Sequence, residues 1–285
     1  MAAPTRRASA REVRRGTAPQ TSAALTPEAR AIARLVASPQ VTGIAVDFDG
    51  TLAEIVTDPA EALALPGAVS VVHTLARRFK KLAVVSGRPV AFLVDRLGLE
   101  HEPVELYGQY GLEHRLADGT VVEPPERQRY ADSVDAALRE ARADASPGVI
   151  VEAKGIALTL HWRRAPAKRD ASLALARELA ARHGLYAREG KTAIELVPDP
   201  AQDKGVAIRS IFADVTVGCV LGDDVGDIPA FRAARDLERA RDFTAVLVVA
   251  ASPDVPPELL ELADVRVEGP HGALAFLQRL AAAAV

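Results

Sequence analysis

The sequence has few of the features that place a protein outside a reducing compartment or in a membrane. It contains one cysteine, Cys219, so a disulfide framework within the chain is excluded. No apolar stretch approaches the roughly 20 residues that a helix needs to cross a bilayer. The arginine-rich first residues lack the apolar segment of a secretory signal. These absences predict a soluble, cytoplasmic protein without a membrane partner.

A basic surface for nucleic acid is also missing. The chain has 35 lysines and arginines against 38 aspartates and glutamates, and its net charge is −3. Five arginines and one glutamate fall within residues 1–25, so the remainder is more acidic still. Because binding to a phosphate backbone needs a basic face, we expect no nucleic-acid partner. Residues 1–25 lack hydrophobic periodicity and are predicted to form a disordered basic tail.

Strand and helix patterns alternate near both ends of the chain. Short apolar runs typical of buried parallel strands occur at residues 41–48, 82–85, 104–107, 215–221 and 245–249. Helical patterns lie between them. This alternation predicts an α/β fold, a doubly wound parallel sheet with helices on both faces.

The middle of the chain has a different pattern. Between residues 113 and 198, hairpin patterns alternate with two helical segments at 126–142 and 167–183. An inserted α/β module is the simplest interpretation. We therefore predict three parts: the tail at 1–25, a catalytic core formed by 26–112 and 199–285, and an α/β cap domain at 113–198.

The first candidate site is the acidic segment D-F-D-G-T-L at residues 47–52. Asp47 ends a buried strand, and open α/β sheets bind ligands at the carboxyl ends of their strands. The chain must turn for Asp47 and Asp49 to share a site, and Gly50 supplies that freedom. Asp47 could then attack phosphorus as a nucleophile, while Asp49 exchanges protons as a general acid and base. The alternative is a helix-capping aspartate followed by a turn aspartate.

Two further segments place phosphate-binding groups at the ends of predicted elements. Ser86 directly follows an apolar strand, where its hydroxyl and the local N–H groups can hold phosphoryl oxygens. Lys204 begins a helix and can neutralise the charge on Asp47 and on a phosphoryl group. Taken alone, Ser86 could instead cap the helix after Pro89, and Lys204 could be a surface lysine.

A third apolar strand ends in the acids of residues 220–227. Mg²⁺ prefers hard oxygen ligands and keeps several waters, so one or two carboxylates and a substrate phosphate suffice. We expect Mg²⁺ to bind Asp47, Asp223 and the backbone carbonyl of Asp49. We expect the other two acids, Asp224 and Asp227, to orient Lys204 or a water molecule. A solvated turn is the alternative for these acids, but four motifs in order at element ends favour one shared site.

The four motifs D-F-D-G-T-L, V-V-S-G-R, D-K-G and G-D-D-x-x-x-D resemble those of the haloacid dehalogenase (HAD) superfamily. The likeness covers about residues 40–112 and 199–285. It implies a HAD-like core, Mg²⁺ as cofactor and an aspartyl-phosphate intermediate. An aspartate two residues after the nucleophile is similar to the phosphatase and phosphomutase branch, and the insertion resembles a cap of the C2 type.

Within that superfamily the chain most resembles the trehalose-6-phosphate phosphatase family. The segments E-x-K at 152–154, H-W-R at 161–163 and G-K-x-x-x-E at 190–195 look like those with which that family contacts its disaccharide phosphate. Together with the core motifs, this likeness implies the following substrate-binding residues: Thr51, Gly87, Arg88, Glu152, Lys154, Arg163, Lys191 and Glu195. Carboxylates accept from sugar hydroxyls, while lysine and arginine reach phosphate oxygens. Cross-strand ion pairing on a solvated sheet is the alternative.

The sequence departs from the family pattern at two places. Gly226 and Ile228 flank Asp227 where the family usually has Thr and Glu, and residues 107–111 lack a His before their last Gly. Both places bear on which sugar is bound. Trp162 could stack on a sugar, but it alternates with His161, so only one of the two can face the cleft.

The resemblance predicts a monomeric phosphoric monoester hydrolase of trehalose biosynthesis, acting on the small-molecule substrate trehalose 6-phosphate. One alternative is a phosphatase or mutase for another sugar phosphate or glycosyl-glycerate phosphate on the same scaffold. The other is a domain that binds a phosphosugar without turnover.

Overall fold

Two β-sheets organise the part of the chain that the computed structural model describes, residues 25–99, 102–123, 125, 127–190, 192–198 and 203–284. Except for Leu25, the predicted basic tail lies outside these residues. The helices are α1 Pro27–Val36, α2 Ala68–Arg78, α3 Val90–Leu97, α4 Arg127–Asp144, α5 Arg169–His183, α6 Lys204–Ile211, α7 Ile228–Ala240, α8 Pro257–Leu262 and α9 Gly269–Ala283. The strands are β1 Thr42–Val46, β2 Lys81–Val85, β3 Glu105–Gly108, β4 Glu113–Arg115, β5 Val121–Val122, β6 Ile150–Ala153, β7 Leu158–His161, β8 Tyr186–Glu189, β9 Ala193–Val197, β10 Val217–Gly222, β11 Thr244–Ala251 and β12 Val265–Glu268.

The large sheet has eight strands in the order β12-β11-β10-β1-β2-β3-β4-β5. The strands from β12 to β3 are parallel, and the hairpin of β4 and β5 continues the sheet in antiparallel fashion. Strand β1 lies between β10 and β2, so the residues that follow these three strands meet at one edge. The predicted α/β class with a parallel sheet is confirmed.

Helices cover both faces of the large sheet because its central strands are apolar on both sides. Strand β1 is buried at all five positions. Ile44 packs in the cluster that holds Leu35 and Phe276, whereas Ala45 packs in the opposite cluster with Phe212. Each such buried leucine or phenylalanine stabilises the fold by about 1.5–3 kcal/mol. The strand ends are therefore held by packing on two sides.

Cys219 lies inside this packing on β10 and has no exposed surface. Burial raises the pKa of its thiol, because the charged thiolate would lose its hydration. In that position Cys219 packs as a small apolar side chain.

The small sheet has four antiparallel strands in the order β6-β7-β9-β8. One face packs on α4 and α5 through Leu158, Leu160 and Ile194. The other face carries polar residues in register, and its Glu152 reaches Arg88 of the large-sheet layer at 2.7 Å. The small sheet thus presents its polar face to the strand ends of the large sheet.

Most predicted elements are found within a few residues of their expected bounds. Helix α8 was not predicted, since its six residues bury only Leu259. The β4–β5 hairpin pairs with β3 in the large sheet, so the boundary of the expected cap domain stays a prediction. Among the described residues, none of the helices combines the length and apolar character needed to cross a membrane.

Candidate active site

Asp47 and Lys204 form a buried ion pair at the centre of the large sheet. Asp47 directly follows β1, and its N–H donates to the carbonyl oxygen of Leu221 at 3.0 Å. The Lys204 ammonium lies 2.6 Å from Asp47 Oδ1 and 2.7 Å from Asp227 Oδ1. Asp47 and Lys204 are 5% and 4% exposed, so both side chains are withdrawn from solvent. Two segments far apart in the sequence thus meet at the Asp47 carboxylate.

Local capping and close packing place Lys204 at this position. Asp203 caps α6 by accepting from the N–H of Val206 at 3.1 Å, and Lys204 is the first residue of the helix. A Cβ atom on Gly205 would lie 2.7 Å from the carbonyl oxygen of Pro229. Glycine therefore lets the start of α6 approach α7 and brings the ammonium to the strand ends.

Asp227 fixes the loop that follows β10. Its Oδ2 accepts from the N–H of Asp223 at 2.9 Å and from the N–H of Asp224 at 3.2 Å. Asp224 in turn accepts from the N–H of Gly226 at 2.8 Å. Asp227 thus contacts both Lys204 and the loop backbone, and its role in orienting the lysine stays a prediction.

Three carboxylates can hold a metal ion. One oxygen from each of Asp47, Asp223 and Asp227 lies within 4.8 Å of the others. Asp223 Oδ1 is buried and has no hydrogen-bond partner among the described residues. An orphaned carboxylate oxygen beside two other carboxylates is a suitable donor for a hard divalent cation. Asp49 contributes no carboxylate to this cluster, and its expected ligand, the backbone carbonyl, stays a prediction.

The charges of this cluster are unbalanced without a cation. Burial raises the pKa of Asp47, and the charges of Asp227 and Asp224 add to the effect while Lys204 opposes it. Burial and the charge of Asp47 likewise raise the pKa of Asp223. Burial disfavours the Lys204 ammonium, but Asp227 and Asp47 outweigh it and raise its pKa. One ammonium therefore faces several carboxylates, and a divalent ion would complete the balance.

Gly50 allows the acidic turn to pack on Asp223. Its φ of +83° is in the left-handed region, and a Cβ atom there would lie 2.1 Å from Asp223 Oδ2. The N–H of Gly50 donates to the carbonyl oxygen of Ala53 at 2.8 Å, which closes the turn. The adjacent Thr51 is fully buried, and its hydroxyl has no partner among the described residues.

Arg88 connects the large-sheet layer with the small sheet. Its Nε and Nη2 donate to the two oxygens of Asp49 at 2.8 and 2.9 Å. Its Nη1 donates to Glu152 Oε1 at 2.7 Å. The same guanidinium lies 4.7 Å from the ring centre of Phe92, which packs beneath it. Three of its N–H groups are therefore used on two carboxylates.

The loop after β2 is built around Ser86. Its hydroxyl accepts from the N–H of Arg88 at 3.1 Å, and its carbonyl oxygen accepts from the N–H of Tyr110 at 3.0 Å. Helix α3 begins after Pro89, so Ser86 does not cap it. Gly87 lies against Tyr110, whose hydroxyl would be 2.8 Å from a Cβ atom on that glycine.

The predicted substrate residues of the small sheet lie in a paired network. Lys154 Nζ is 3.3 Å from Glu195 Oε1 and 3.9 Å from Glu152 Oε2. Glu152 Oε2 also pairs with His161 Nε2 at 2.8 Å. Arg163 lies apart on an exposed segment, where its Nε donates to Thr192 Oγ1 at 3.4 Å. Lys191 lies outside the described residues.

Sequence reasoning did not assign Tyr110 to the site. Gln109 and Tyr110 have φ angles of 49° and 60°, which non-glycine residues seldom adopt. The phenol lies close enough to Glu195 for that carboxylate to add to the effect of burial in raising its pKa, and Arg188 lies 5.3 Å from the centre of its ring. Gln109 accepts from the N–H of Ile156 in the turn between β6 and β7 of the small sheet. Consecutive residues in this conformation leave no signal in the sequence.

His161 faces the site, and Trp162 does not. His161 pairs with Glu152, whereas Trp162 is 3% exposed and packs among the apolar residues under the small sheet. The alternation of the two residues was predictable, but the choice between them depends on which face of the sheet the helices cover.

The fold and the strand-end constellation together define a protein of the HAD class. A crystal structure of a trehalose-6-phosphate phosphatase related protein superposes with a TM-score of 0.71 at 24% identity, over 84% of this chain and 97% of that one. The C-terminal domain of trehalose-6-phosphate phosphatase from C. albicans gives 0.73 at 22% identity, over 91% and 98%. At these identities the likeness concerns the fold.

The sequence comparison gives the family. The sequence model of the trehalose-phosphatase family matches residues 45–255, and the chain belongs to that family. It is 35% identical over 195 residues to the trehalose-phosphate phosphatase of Mycobacterium tuberculosis (strain ATCC 25618 / H37Rv), across 65% of this chain and 49% of that one. It is 36% identical over 203 residues to that of Mycobacterium ulcerans, across 66% and 50%. The chain thus spans about half the length of these relatives. Membership implies a divalent metal, which the acidic cluster fits.

Proposed function

We propose that the chain is a Mg²⁺-dependent phosphatase that hydrolyses trehalose 6-phosphate to trehalose and phosphate. The observation that carries the proposal is the Asp47 carboxylate, buried against Lys204 and beside an acidic cluster at the end of a central strand. The family membership of residues 45–255 supports the choice of substrate.

Asp47 is the nucleophile in this proposal. Lys204 lies 2.6 Å from its Oδ1 and holds the side chain in one orientation at the strand end. A carboxylate oxygen of Asp47 attacks phosphorus and the bond from phosphorus to the sugar oxygen breaks, which leaves an aspartyl phosphate. The Lys204 ammonium neutralises the charge that collects on the phosphoryl oxygens.

Asp49 transfers the protons. It gives a proton to the departing sugar oxygen, and it later removes one from the water that attacks the aspartyl phosphate. This second attack breaks the bond between Asp47 and phosphorus, and phosphate leaves. Arg88 holds Asp49 through two hydrogen bonds, so the guanidinium is placed to exchange that contact for the phosphoryl oxygens.

Asp47 and Asp223 would hold the metal, with the Asp49 carbonyl as the third protein ligand. When bound, Mg²⁺ supplies the positive charge that these carboxylates and the phosphate require. Asp227 and Asp224 position Lys204 and the loop. Ser86, Gly87 and Thr51 contribute polar groups for the phosphoryl oxygens.

The polar face of the small sheet binds the sugar. Glu152, Lys154 and Glu195 supply acceptors and a donor for hydroxyl groups. Closure of this sheet over the strand ends would exclude bulk water from the reaction. Arg163 and Lys191 are further candidates for contacts at the rim. The core and cap assignments at 26–112, 199–285 and 113–198 remain part of the proposal.

The test measures phosphate release from trehalose 6-phosphate and from a panel of other sugar and glycosyl-glycerate phosphates, with and without Mg²⁺. We expect Mg²⁺-dependent release with a preference for trehalose 6-phosphate. Asp47→Asn should lower kcat by about 1,000-fold or more with the fold intact by circular dichroism. The exposed Asp214→Asn is the matched control.

Other outcomes point to the alternatives. Preferred hydrolysis of another panel member would reassign the substrate, and retention of the phosphate on the sugar would indicate a mutase. Sugar phosphate binding without release would indicate a non-catalytic domain. Near-normal turnover by Asp47→Asn would refute the covalent route.

A further inference from the structure

Thr159 occupies the centre of a polar row that crosses all four strands of the small sheet. The strand register places it opposite Glu152 on β6 and opposite Glu195 on β9, and Glu195 is opposite Arg188 on β8. Directly paired residues point to the same face of a sheet. Thr159 therefore lies between the two carboxylates on the face that meets the large-sheet layer.

The hydroxyl of Thr159 is unsatisfied. The residue is 3% exposed, and its Oγ1 is buried with no hydrogen-bond partner among the described residues. The neighbouring residues of β7, Leu158 and Leu160, point to the opposite face and pack under α4 and α5. A buried hydroxyl without a partner costs stability, so a protein that keeps one at the centre of a polar face needs another reason for it.

The groups around Thr159 already pair with one another. Glu152 accepts from Arg88 at 2.7 Å and pairs with His161 at 2.8 Å. Lys154 lies 3.3 Å from Glu195 and 3.9 Å from Glu152. Within the row, the carboxylates of Glu152 and Glu195 lie on either side of the Thr159 hydroxyl. A molecule with adjacent hydroxyl groups, each both donor and acceptor, matches this pattern.

We propose that Thr159 is a specificity-determining residue that binds a hydroxyl group of the sugar between Glu152 and Glu195. The inference rests on the proposed function in one respect, that the ligand of this face is a sugar phosphate. It adds a residue that neither the sequence motifs nor the family resemblance assigned.

Thr159→Val tests the proposal because valine keeps the shape and removes the hydroxyl. We expect KM for trehalose 6-phosphate to rise about tenfold, which is the effect of one lost hydrogen bond. The kcat/KM for p-nitrophenyl phosphate, which has no sugar, should be unchanged. The melting temperature should be equal or higher, because the orphaned hydroxyl is gone. Thr159→Ser keeps a hydroxyl and should retain most of the affinity.

Thr42→Val is the matched control. Its buried hydroxyl donates to the carbonyl oxygens of Ser38 and Leu35, at 2.9 and 3.3 Å. This variant should melt at a lower temperature with KM unchanged. Thr159→Val should raise KM without lowering the melting temperature, whereas Thr42→Val should lower the melting temperature without changing KM. This contrast separates a hydroxyl that binds the sugar from one that stabilises the fold.

Calorimetric titration with trehalose makes the result independent of turnover. If wild type binds trehalose but Thr159→Val binds it equally, the assignment of Thr159 is wrong while the proposed function stands. An equal loss of kcat/KM on trehalose 6-phosphate and on p-nitrophenyl phosphate in Thr159→Val would also overturn the assignment. A Thr159 hydroxyl that hydrogen-bonds only to water would overturn it as well. If another sugar phosphate is the substrate, the same comparison on that compound decides the role of Thr159. If wild type neither binds nor hydrolyses any sugar compound, both proposals fail.

Discussion

Arg88 donates two hydrogen bonds to the Asp49 carboxylate, from Nε at 2.8 Å and from Nη2 at 2.9 Å. Its third nitrogen, Nη1, donates to Glu152, 64 residues further along the chain, at 2.7 Å. The proposed acid–base residue and a proposed sugar-binding residue thus share one guanidinium. The proposed roles of Asp49 and Glu152 thus predict that position 88 couples recognition of the sugar to the chemistry.

Replacement of Arg88 by lysine tests this coupling. A lysine keeps the charge but cannot form the paired contact to Asp49 together with the bond to Glu152. We expect kcat/KM to fall by about 10- to 100-fold on trehalose 6-phosphate and also on p-nitrophenyl phosphate, because Asp49 serves both. Arg96→Lys, on the helix α3 that follows Arg88, is the control. Unchanged kinetics for Arg88→Lys would contradict the coupling.

Mg²⁺ should stabilise the protein through the acidic cluster. A ligand that binds only the folded state at 100 times its dissociation constant adds about 2.7 kcal/mol, which raises the melting temperature. Asp223→Asn should abolish this shift. Because burial raises the pKa of Asp223, its ionised form is unfavourable in the metal-free fold at neutral pH, so the metal-free variant should melt at or above wild type.

The control for the metal experiment is Asp214→Asn, whose side chain is 53% exposed beside Lys80 and Lys81. It should retain the full shift, measured against its own metal-free melting temperature. A shift that survives in Asp223→Asn would place the metal elsewhere.

Glu152 should contribute stability in a defined pH range. Burial favours its neutral form, but His161, Lys154 and Arg88 outweigh burial and hold its pKa below the ordinary 4.5. Its contribution is therefore complete above the unfolded-state pKa and is lost as pH falls through the lower folded-state value. We expect Glu152→Gln to be less stable than wild type by about 1–2 kcal/mol near pH 7, with the difference shrinking when the pH is taken below 4.5.

Urea denaturation of both proteins near pH 7 and below pH 4.5 measures this difference. Glu189→Gln, an exposed carboxylate of the same sheet, should differ little from wild type at either pH. A Glu152→Gln difference that grows as pH falls would show that the sign of the pKa shift is wrong.

Tyr110 should affect affinity for the sugar more than turnover. Burial raises the pKa of its phenol, and the nearby Glu195 adds to the effect, so the hydroxyl remains a donor throughout the working pH range. Tyr110→Phe removes the hydroxyl near Glu195 but keeps the ring beside Gly87 and Arg188. We expect KM for trehalose 6-phosphate to rise about 3- to 10-fold with kcat nearly constant. Tyr130→Phe on α4 is the control, and a loss confined to kcat would argue against this role.

The sequence was informative wherever chemistry follows the end of a regular element. Asp47, Ser86 and Asp223 each come after an apolar run, and parallel strands deliver such residues to one edge. Lys204 was recognisable from the helix that begins there. The structure brings these residues to the same side of the sheet, with Asp47 and Lys204 in direct contact.

The remaining parts depend on pairings between distant segments. The contact of Arg88 with Glu152 and the row through Thr159 follow from strand register, which no local pattern reveals. The left-handed backbone at Gln109 and Tyr110 has no compositional signal, since neither residue favours that conformation. Helix α8 is too short for its periodicity to be read.

Because Cys219 is enclosed by its neighbours on β10, the native chain presents no thiol to a maleimide dye. Cysteines introduced at the exposed Ala171 on α5 and Ala240 on α7 would then be the sole labelling points. A fluorophore pair at these positions would report, in single molecules, the distance between a helix of the small sheet and a helix of the large sheet. The proposed closure of the small sheet over the strand ends could then be timed with no other residue changed.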